Sequence, residues 1–357
     1  MGMPMNACWF NSRKAMAPDR LPVYDVFHCR QHYVCILGPY YTRAGFAGGV
    51  KITVNGQKCG WWMLPTHRHF TMSVMAEIPR SLRAREQWKV VVELDGKRVF
   101  RGIVYRITRP AGRLAMATLT KFDAAYIGEW IEHNLLLGFE HFFVYNNGEP
   151  AITKAIDTYV LSGLATEVNW SYPYAMCASG LDPYWPPDSH HWTQPPQQVH
   201  AVLKYGDNWD WIGLFDADEF LVPMTDSPLL DTLDAAAAGM WCELPYGRCG
   251  GVEVQGRWFG TSGHARTKTP ILPNYMRCEA GHTTAPKWLI RPDCMREAVV
   301  HYYEIDGQPA RMPTNVLRYN HYRSISDHKL RCQEADHEHY SNETTDGRVV
   351  EVQHALD

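Results

Sequence analysis

Hydrophobic and polar positions divide the chain into two regions with different periods. From Val23 to about Thr108, short alternating segments rich in branched and aromatic residues predict β-strands. Asn55-Gly56 and Asp95-Gly96 each separate two such segments, as the type I′ turns of β-hairpins do. With about six or seven strands and no helical period, this region is predicted to form a small antiparallel β-sandwich.

Beyond a break at residues 109–112, apolar segments alternate between the strand period and the helix period. Strands are predicted at 114–119, 142–145, 166–170 and 211–215, and helices at 123–137, 152–161 and 197–205. This order predicts an α/β fold in which a mostly parallel sheet is flanked by helices. We therefore expect a tail at 1–22, the sandwich domain at 23–108, the α/β domain at 109–325 and a C-terminal extension at 326–357.

The composition is that of an ordinary globular protein. Of 357 residues, 45% are apolar and 20% are charged, and the net charge of −3 argues against a nucleic-acid binder. No apolar run approaches the ~20 residues of a membrane span, and residues 1–14 lack the core of a signal peptide. We expect either an intracellular protein or a lumenal domain of the Golgi type that lacks its anchor, which the sequons at Asn169 and Asn342 would permit.

The most informative stretch is the strand at 211–215, which ends in three acids, Asp216, Asp218 and Glu219. Because side chains alternate along a strand, Asp216 and Asp218 are expected to point the same way. Two carboxylates in one place attract a cation, and their hard oxygen atoms suit magnesium, manganese or calcium. Ligands of open α/β sheets bind at the carboxyl ends of strands. The pattern therefore predicts an Asp-x-Asp metal site for a nucleotide-sugar diphosphate, and the alternative is a polar strand end with a solvated turn.

Several motifs, in this order and spacing, resemble those of glycosyltransferase family 92. They are Gly128-Glu-Trp-Ile-Glu-His-Asn-Leu-Leu-Leu-Gly-Phe-Glu-His-Phe-Phe-Val-Tyr-Asn-Asn147, Trp211-Ile-Gly-Leu-Phe-Asp-Ala-Asp-Glu-Phe-Leu-Val-Pro223, Trp258-Phe-Gly-Thr-Ser-Gly-His264, Lys287-Trp-Leu-Ile-Arg-Pro292, Val300-His-Tyr302 and Asn320-His-Tyr322. The resemblance implies a GT-A-like fold and a metal-dependent, inverting hexosyltransferase. Such an enzyme moves a hexose, most often galactose, from a uridine diphosphate (UDP) sugar to a glycan acceptor with Mn²⁺ or Mg²⁺. Some plant members carry a carbohydrate-binding module before the catalytic domain, and residues 23–108 are a candidate for one.

The resemblance also implies the metal ligands. Asp218 is expected to contact the metal directly, and Asp216 to be shared between the metal and the ribose. His301 is the expected third ligand because related folds place a histidine there, and His321 is the alternative.

An inverting transfer further needs a base for the acceptor hydroxyl, and a carboxylate is the usual choice. In similar enzymes the base follows a glycine-containing turn such as Gly260-Thr-Ser-Gly263 by one short segment, which favours Glu279 over Asp293 and Asp306.

Donor binding is assigned to residues at the ends of other strands. Lys121 and Asp123 stand where relatives tend to have a basic residue followed by an Asn-Glu pair. Asn146 and Asn147 are candidate uracil or ribose contacts, with a structural turn as the alternative, and Lys287 is a candidate phosphate contact or a surface charge.

Two functions from other classes remain open at this point. One is a catalytically inactive glycan-binding protein, and the other is a metal-dependent nucleotidyltransferase. A phosphate-binding P-loop, a Gly-x-Ser-x-Gly elbow and the zinc motif His-Glu-x-x-His are all absent from the sequence.

Overall fold

The first part of the chain forms the predicted antiparallel sandwich. A computed structural model describes residues 23–38, 49–64, 71–107, 110–172, 193–243, 248–279, 285–298, 301–322 and 325, and the backbone of 39, 175–177, 190–192, 299 and 344–345. The strands of the first part are β1 Asp25–Cys29, β2 Tyr33–Pro39, β3 Val50–Val54, β4 Gln57–Lys58, β5 Trp61–Met63, β6 Thr71–Glu77, β7 Gln87–Leu94 and β8 Lys97–Tyr105. They form two four-stranded sheets, in the orders β1-β2-β6-β5 and β4-β3-β7-β8. Alternation sets the core, since Val50, Ile52 and Val54 of β3 are buried while Lys51 is exposed.

Both predicted hairpin turns are confirmed. Asn55-Gly56 joins β3 to β4 with φ angles of 49° and 81°, and Asp95-Gly96 joins β7 to β8 with 50° and 73°. Type I′ turns require positive φ at both central residues, which asparagine, aspartate and glycine tolerate best.

The second part is an α/β structure built on a seven-stranded sheet. Its elements are β9 Gly112–Thr120, α1 Ile127–Leu136, β10 His141–Asn146, α2 Pro150–Leu161, β11 Ala165–Asn169, β12 Ala175–Cys177, β13 His190–Trp192, α3 Gln194–Tyr205, β14 Trp209–Leu214, β15 Glu219–Pro223, α4 Leu229–Ala237, β16 Cys249–Val254, β17 Gly256–Trp258, α5 Ile271–Asn274, β18 Arg277–Cys278, β19 Lys287–Ile290, β20 Met295–Val299, β21 Tyr302–Ile305, β22 Gln308–Arg311, β23 Leu317–His321 and β24 Thr344–Thr345. The large sheet has the order β11-β10-β9-β14-β19-β16-β22, and β19 is antiparallel to both of its neighbours. All its other pairs are parallel, which confirms the mostly parallel α/β fold.

A smaller sheet lies beside the large one and matters most for the site. It has three strands in the order β15-β23-β17, and β15 follows β14 after a short turn. The chain thus passes directly from the large sheet into the small one at the acidic triplet.

The helices are short, and their ends follow local chemistry. The longest helices of the described residues, α2 and α3, have 12 residues each, and no helix in these ranges is long and apolar enough to cross a membrane. Gly138, with φ of 93°, follows the end of α1 as predicted. Helix α3 begins at Gln194, three residues before its predicted start, because the two prolines that follow are tolerated in a first helical turn.

The sandwich shares a hydrophobic core with the α/β part. One face of the β1-β2-β6-β5 sheet packs inside the sandwich, where Val34 and Ile36 are buried. The other face places Phe27 and Met75 in the same cluster as Leu203 of α3. This sheet is therefore covered on both sides.

Candidate active site

Asp216 and Asp218 lie in the turn between β14 and β15, and Glu219 opens β15. After Leu214 the chain leaves the large sheet, and the Glu219 N–H donates to the Asp216 carbonyl at 3.0 Å to close the turn. Asp216 and Asp218 thus occupy turn positions, so the strand alternation expected for them does not apply. Their surroundings differ, because the Asp216 side chain is 30% exposed and that of Asp218 is 3% exposed.

A buried lysine holds two of these acids. Lys287 opens β19, and its Nζ lies 2.8 Å from Asp216 Oδ2 and 3.0 Å from Glu219 Oε2 with its side chain fully buried. Burial alone would lower the pKa of Lys287, but the two carboxylates raise it well above its ordinary value, so the ammonium stays charged. Burial, reinforced by Asp216 and Asp218, raises the pKa of the Glu219 carboxyl, and Lys287 opposes that rise. Lys287 is therefore a buried positive charge in direct contact with Asp216 and Glu219.

Gln194 is a site residue that the sequence analysis missed. It is the first residue of α3, is 4% exposed, and its Nε2 donates to Asp216 Oδ1 at 2.5 Å. The two Asp216 oxygens thus have different partners, an amide and the ammonium of Lys287. The signal in the sequence was weak: Gln194 precedes a pair of prolines that marks the start of a helix leading into the acidic strand.

His321 is the imidazole that faces the buried acids. It pairs in register with Glu219 across β15 and β23, and Tyr322 donates its N–H to the Asp218 carbonyl at 2.8 Å. The His321 Nε2 lies 3.8 Å from Asp218 Oδ2, and its Nδ1 lies 3.7 Å from Glu219 Oε1. These distances are too long for hydrogen bonds but bring the three side chains to one place.

His301, the other predicted metal ligand, lies on the Lys287 side of the turn. Its Nδ1 lies 3.3 Å from the carbonyl of Pro286, the residue before Lys287. Desolvation and the positive charge of Lys287 lower the pKa of His301 to about 4, although Asp216 opposes the change. The structure thus places His301 within the electrostatic reach of Asp216.

The side chains present fit a divalent cation by type. Asp218 offers a carboxylate, His321 an imidazole, and the Glu219 Oε1 is a buried acceptor without a hydrogen-bond partner. Hard divalent cations favour such oxygen ligands. Among the described residues, however, no group of three or more His, Cys, Asp or Glu side chains is already arranged to hold a metal. Holding one would require these side chains to draw together.

Glu279, the predicted base, connects to the same small sheet. It follows β18, and its N–H donates to the Trp258 carbonyl at 3.0 Å. Trp258 pairs in turn with His321. Glu279 is thus two backbone steps from His321, roughly 10 Å at the usual spacing of strands.

The two alternative bases lie at the other edge of the large sheet. Because β19 runs antiparallel to β14, the turn after β19 lies at the amino end of β14, away from Asp216. Asp293 lies in that turn and pairs with Arg248. Asp306 donates its N–H to the Cys294 carbonyl at 2.7 Å and so lies nearby. The structure separates both from the triplet by about the length of a strand.

Lys121 and Asp123 follow β9, whose carboxyl end lies beside that of β14. The Asp123 carboxylate accepts hydrogen bonds from the Thr120 hydroxyl at 2.9 Å, from the Lys121 N–H at 3.0 Å and from the Tyr126 hydroxyl. The Lys121 ammonium lies 5.3 Å from the centroid of the Phe122 ring. Asp123 therefore shapes the loop that carries Lys121.

Asn146 and Asn147 end β10 at the same edge. Asn146 donates from Nδ2 to Glu167 at 2.7 Å and accepts from the Glu149 N–H at 2.8 Å, and Asn147 donates to the Trp170 carbonyl at 2.7 Å. Both amides thus make structural hydrogen bonds. Asn146 also lines a cavity of about 470 Å³ at the ends of β10 and β11. The structure therefore brings Lys121, Asp123 and both asparagines to the edge that carries Asp216.

Helix α1 fixes the strand that follows the acidic turn. Trp130 Nε1 donates to the Glu219 carbonyl at 2.8 Å. The Nε2 atom of His133 lies 2.7 Å from the carbonyl oxygen of Leu221. Glu129 accepts hydrogen bonds from the first N–H groups of α5, including that of Leu272 at 3.0 Å. The helix thus connects two segments that border the site.

The sheet and its acidic edge define an α/β protein of the class that binds ligands at the carboxyl ends of its strands. Comparison with known families is more specific: the profile of glycosyltransferase family 92 matches residues 115–354. The chain belongs to this family. Its mixed α/β architecture agrees with the GT-A-like fold expected from the family motifs.

Two plant proteins are among its relatives. A glycosyltransferase family 92 protein of rice (Oryza sativa subsp. japonica) is 23% identical over 224 residues, which is 60% of this chain and 34% of the relative. One from Arabidopsis thaliana is 23% identical over 219 residues, which is 59% of this chain and 35% of the relative. The matched region is thus about a third of each relative's length.

Proposed function

We propose that the chain is a metal-dependent, inverting hexosyltransferase that moves a hexose from a UDP-sugar to a glycan acceptor. Galactose is the hexose that we expect first. The observation that carries this proposal is the acidic turn at the carboxyl end of β14, where the buried Lys287 forms ion pairs with Asp216 and Glu219. The chain that carries this turn belongs to glycosyltransferase family 92. The turn offers carboxylates where a nucleotide diphosphate would reach the sheet.

Asp216 and Asp218 are the proposed metal ligands. The contact with Asp218 supports His321 as the third ligand, and the position of His301 beside Lys287 keeps it as the alternative. A bound Mn²⁺ or Mg²⁺ would neutralise the charge that develops on a diphosphate leaving group. Lys287 would hold Asp216 in place and keep the net charge of the turn low as the nucleotide approaches.

Glu279 is the proposed base, and the residues at the ends of β9 and β10 are the proposed donor contacts. The Glu279 N–H donates to the carbonyl of Trp258, which pairs with His321, and this connection to the small sheet supports the proposal. In that position its carboxylate would take the proton of the acceptor hydroxyl. Lys121 and Asn146 border the nucleotide edge and would contact the donor.

The test is a panel of nucleotide sugars, scored for release of nucleoside diphosphate with Mn²⁺ and a mixture of glycan acceptors. Asp218→Asn should reduce turnover at least a hundredfold, because it removes the carboxylate charge of a proposed metal ligand, and the metal would stabilise the charge on the leaving diphosphate. The unfolding midpoint of this variant should stay close to that of the wild type. Asp210→Asn is the matched control, since Asp210 lies near the amino end of β14, at the opposite end of that strand from the acidic turn, and pairs with Arg113; it should keep wild-type turnover.

Each other outcome points elsewhere. Retained turnover in Asp218→Asn would remove the metal assignment. A wild-type protein that releases no nucleoside diphosphate from any donor, but is retained on a glycan column, would be a glycan-binding protein. Release of pyrophosphate from a nucleoside triphosphate would indicate a nucleotidyltransferase.

A further inference from the structure

Helix α3 connects the sandwich to the acidic turn. It contacts β1 and β2 of the sandwich and β9 and β20 of the α/β part. Nearly all its residues are buried, including the polar Gln194, Gln197 and Gln198. A helix buried on all sides takes its position from what surrounds it, and here the surroundings come from both parts of the chain.

The C-terminal half of α3 is held by an acid of the sandwich. Asp25, on β1, accepts through Oδ2 from Lys204 Nζ at 2.8 Å and from His200 Nε2 at 2.9 Å. The Nδ1 of His200 then accepts from the Tyr145 hydroxyl at 2.7 Å, because Nε2 carries the proton. His200 is 1% exposed, so Asp25 reaches an imidazole that water does not.

The charges around Asp25 support this arrangement. Burial alone would raise the pKa of the Asp25 carboxyl, but His200 and Lys204 hold it well below its ordinary value. Asp25 is therefore ionised, and its hydrogen bonds are of the stronger, charge-assisted kind. Phe27, two residues along β1, packs edge-on against the His200 ring at a centroid distance of 4.8 Å.

The N-terminal end of the same helix touches the proposed catalytic turn. Gln194, the first residue of α3, donates to Asp216 at 2.5 Å. Gln194 and Lys204 are ten residues apart, about 15 Å along a rigid α-helix. A shift of the helix at the Asp25 end therefore moves the amide that orients Asp216.

We infer that Asp25 is a positioning residue for the transferase site. By holding α3 in place, it keeps Gln194 in hydrogen-bond contact with Asp216. The sandwich therefore contributes to the geometry of the catalytic site. The effect on turnover rests on the proposed function. The effect on the helix itself does not, and can be measured without any substrate.

The first measurement is amide hydrogen exchange on the full chain. Asp25→Asn keeps the size of the side chain and removes its charge, and it should speed exchange about tenfold or more in 194–205 and in 209–219, because the charge-assisted bonds that hold α3 are lost. Glu77→Gln is the matched control, since Glu77 is a sandwich carboxylate that pairs with Arg83. Unchanged exchange in α3 of Asp25→Asn, or the same acceleration in Glu77→Gln, would overturn the inference.

The second measurement is a double-mutant cycle on turnover, well below the unfolding midpoint of every variant. Asp25→Asn should lower kcat about tenfold in the wild type but less than about twofold when Gln194→Ala is already present, because both changes release the same contact. Losses that multiply would show that Asp25 does not act through Gln194. If Asp25→Asn does not fold, Lys204→Met removes one of the two clamping bonds and should change exchange and kcat in the same direction. Should the wild type turn over no donor, the proposed function fails, and the exchange measurement still decides the role of Asp25.

Discussion

Replacing Lys287 with methionine tests the buried charge cluster directly. Methionine keeps much of the aliphatic volume of lysine but removes the ammonium. Asp216 and Glu219 would then lose the positive charge that lies 2.8 Å and 3.0 Å from their oxygens. The loss of this charge destabilises the ionised form of Glu219 most, because the Glu219 side chain is fully buried while that of Asp216 is 30% exposed.

The expected loss of stability follows from that burial. Removing one partner of a buried ion pair costs about 3 to 5 kcal/mol, because an uncompensated charge remains. Glu219 can take up a proton instead of staying charged, which sets the loss toward the lower end of that range. The second change Glu219→Gln removes the uncompensated charge, so the double variant Lys287→Met/Glu219→Gln should recover at least half of the loss.

The assay is urea unfolding followed by tryptophan fluorescence and circular dichroism. With a slope of about 3 kcal/mol per molar urea, the loss corresponds to a fall in midpoint of about 1 to 2 M. Lys51→Met is the matched control. Lys51 pairs with Glu93 at 3.3 Å, but its side chain is 60% exposed. This variant should lie within about 0.5 kcal/mol of the wild type, because surface ion pairs contribute little.

Two results would refute the reasoning. A Lys287→Met variant within about 1 kcal/mol of the wild type would mean that water or movement of the turn replaces the lysine, contrary to its burial. A double variant no more stable than Lys287→Met would show that the loss comes from packing and not from charge.

Two more predictions concern residues away from the acidic turn. Burial lowers the pKa of both His133 and His200 to about 4, so between about pH 6.5 and pH 4 the unfolded state binds more protons at these two residues. The raised pKa of the Glu219 carboxyl opposes only part of this difference, because it is one group against two. The free energy of unfolding should therefore fall by a few kcal/mol as the pH is lowered through this window, and a flat series of urea midpoints would contradict it. Glu129→Ala should cost about 1 to 3 kcal/mol, because the first N–H groups of α5, including that of Leu272, lose their acceptor. Glu129→Gln keeps an acceptor oxygen and should cost less than about 1 kcal/mol, and equal losses in the two variants would argue against the capping role.

Local patterns in the sequence predicted much of the architecture. The Asn55-Gly56 and Asp95-Gly96 hairpins were predictable because positive φ is a property of the turn residues themselves. Elements β9, α1, β10, α2, β11, α3 and β14 follow from the period of their apolar residues, with ends shifted by a few residues, whereas the short strands β12 and β13 were not predicted. The edge that carries Asp216, Lys121 and Asn146 was also predictable, since carboxyl ends of parallel strands meet at one edge.

The errors came where a residue's neighbours are distant in the chain. Asp216 and Asp218 were expected on one face of a strand, but the chain changes sheets there and turns. No local pattern shows that Lys287 lies buried beneath them, because its register is set by the pairing of β19 with β14. Gln194 was missed for the same reason: its role depends on where α3 ends against Asp216.

The sequence by itself therefore determined which structural parts the chain contains. These are a β-sandwich, an α/β sheet, an acidic segment after its buried strand and the motifs of glycosyltransferase family 92. Each of these depends on residues close together in the chain, on side-chain period or on turn chemistry. The tertiary structure alone decided which charges meet, namely Lys287 with Asp216 and Glu219, and Asp25 with His200 and Lys204. Those contacts depend on strand register and helix placement, which the whole core sets at once by burying its apolar surface.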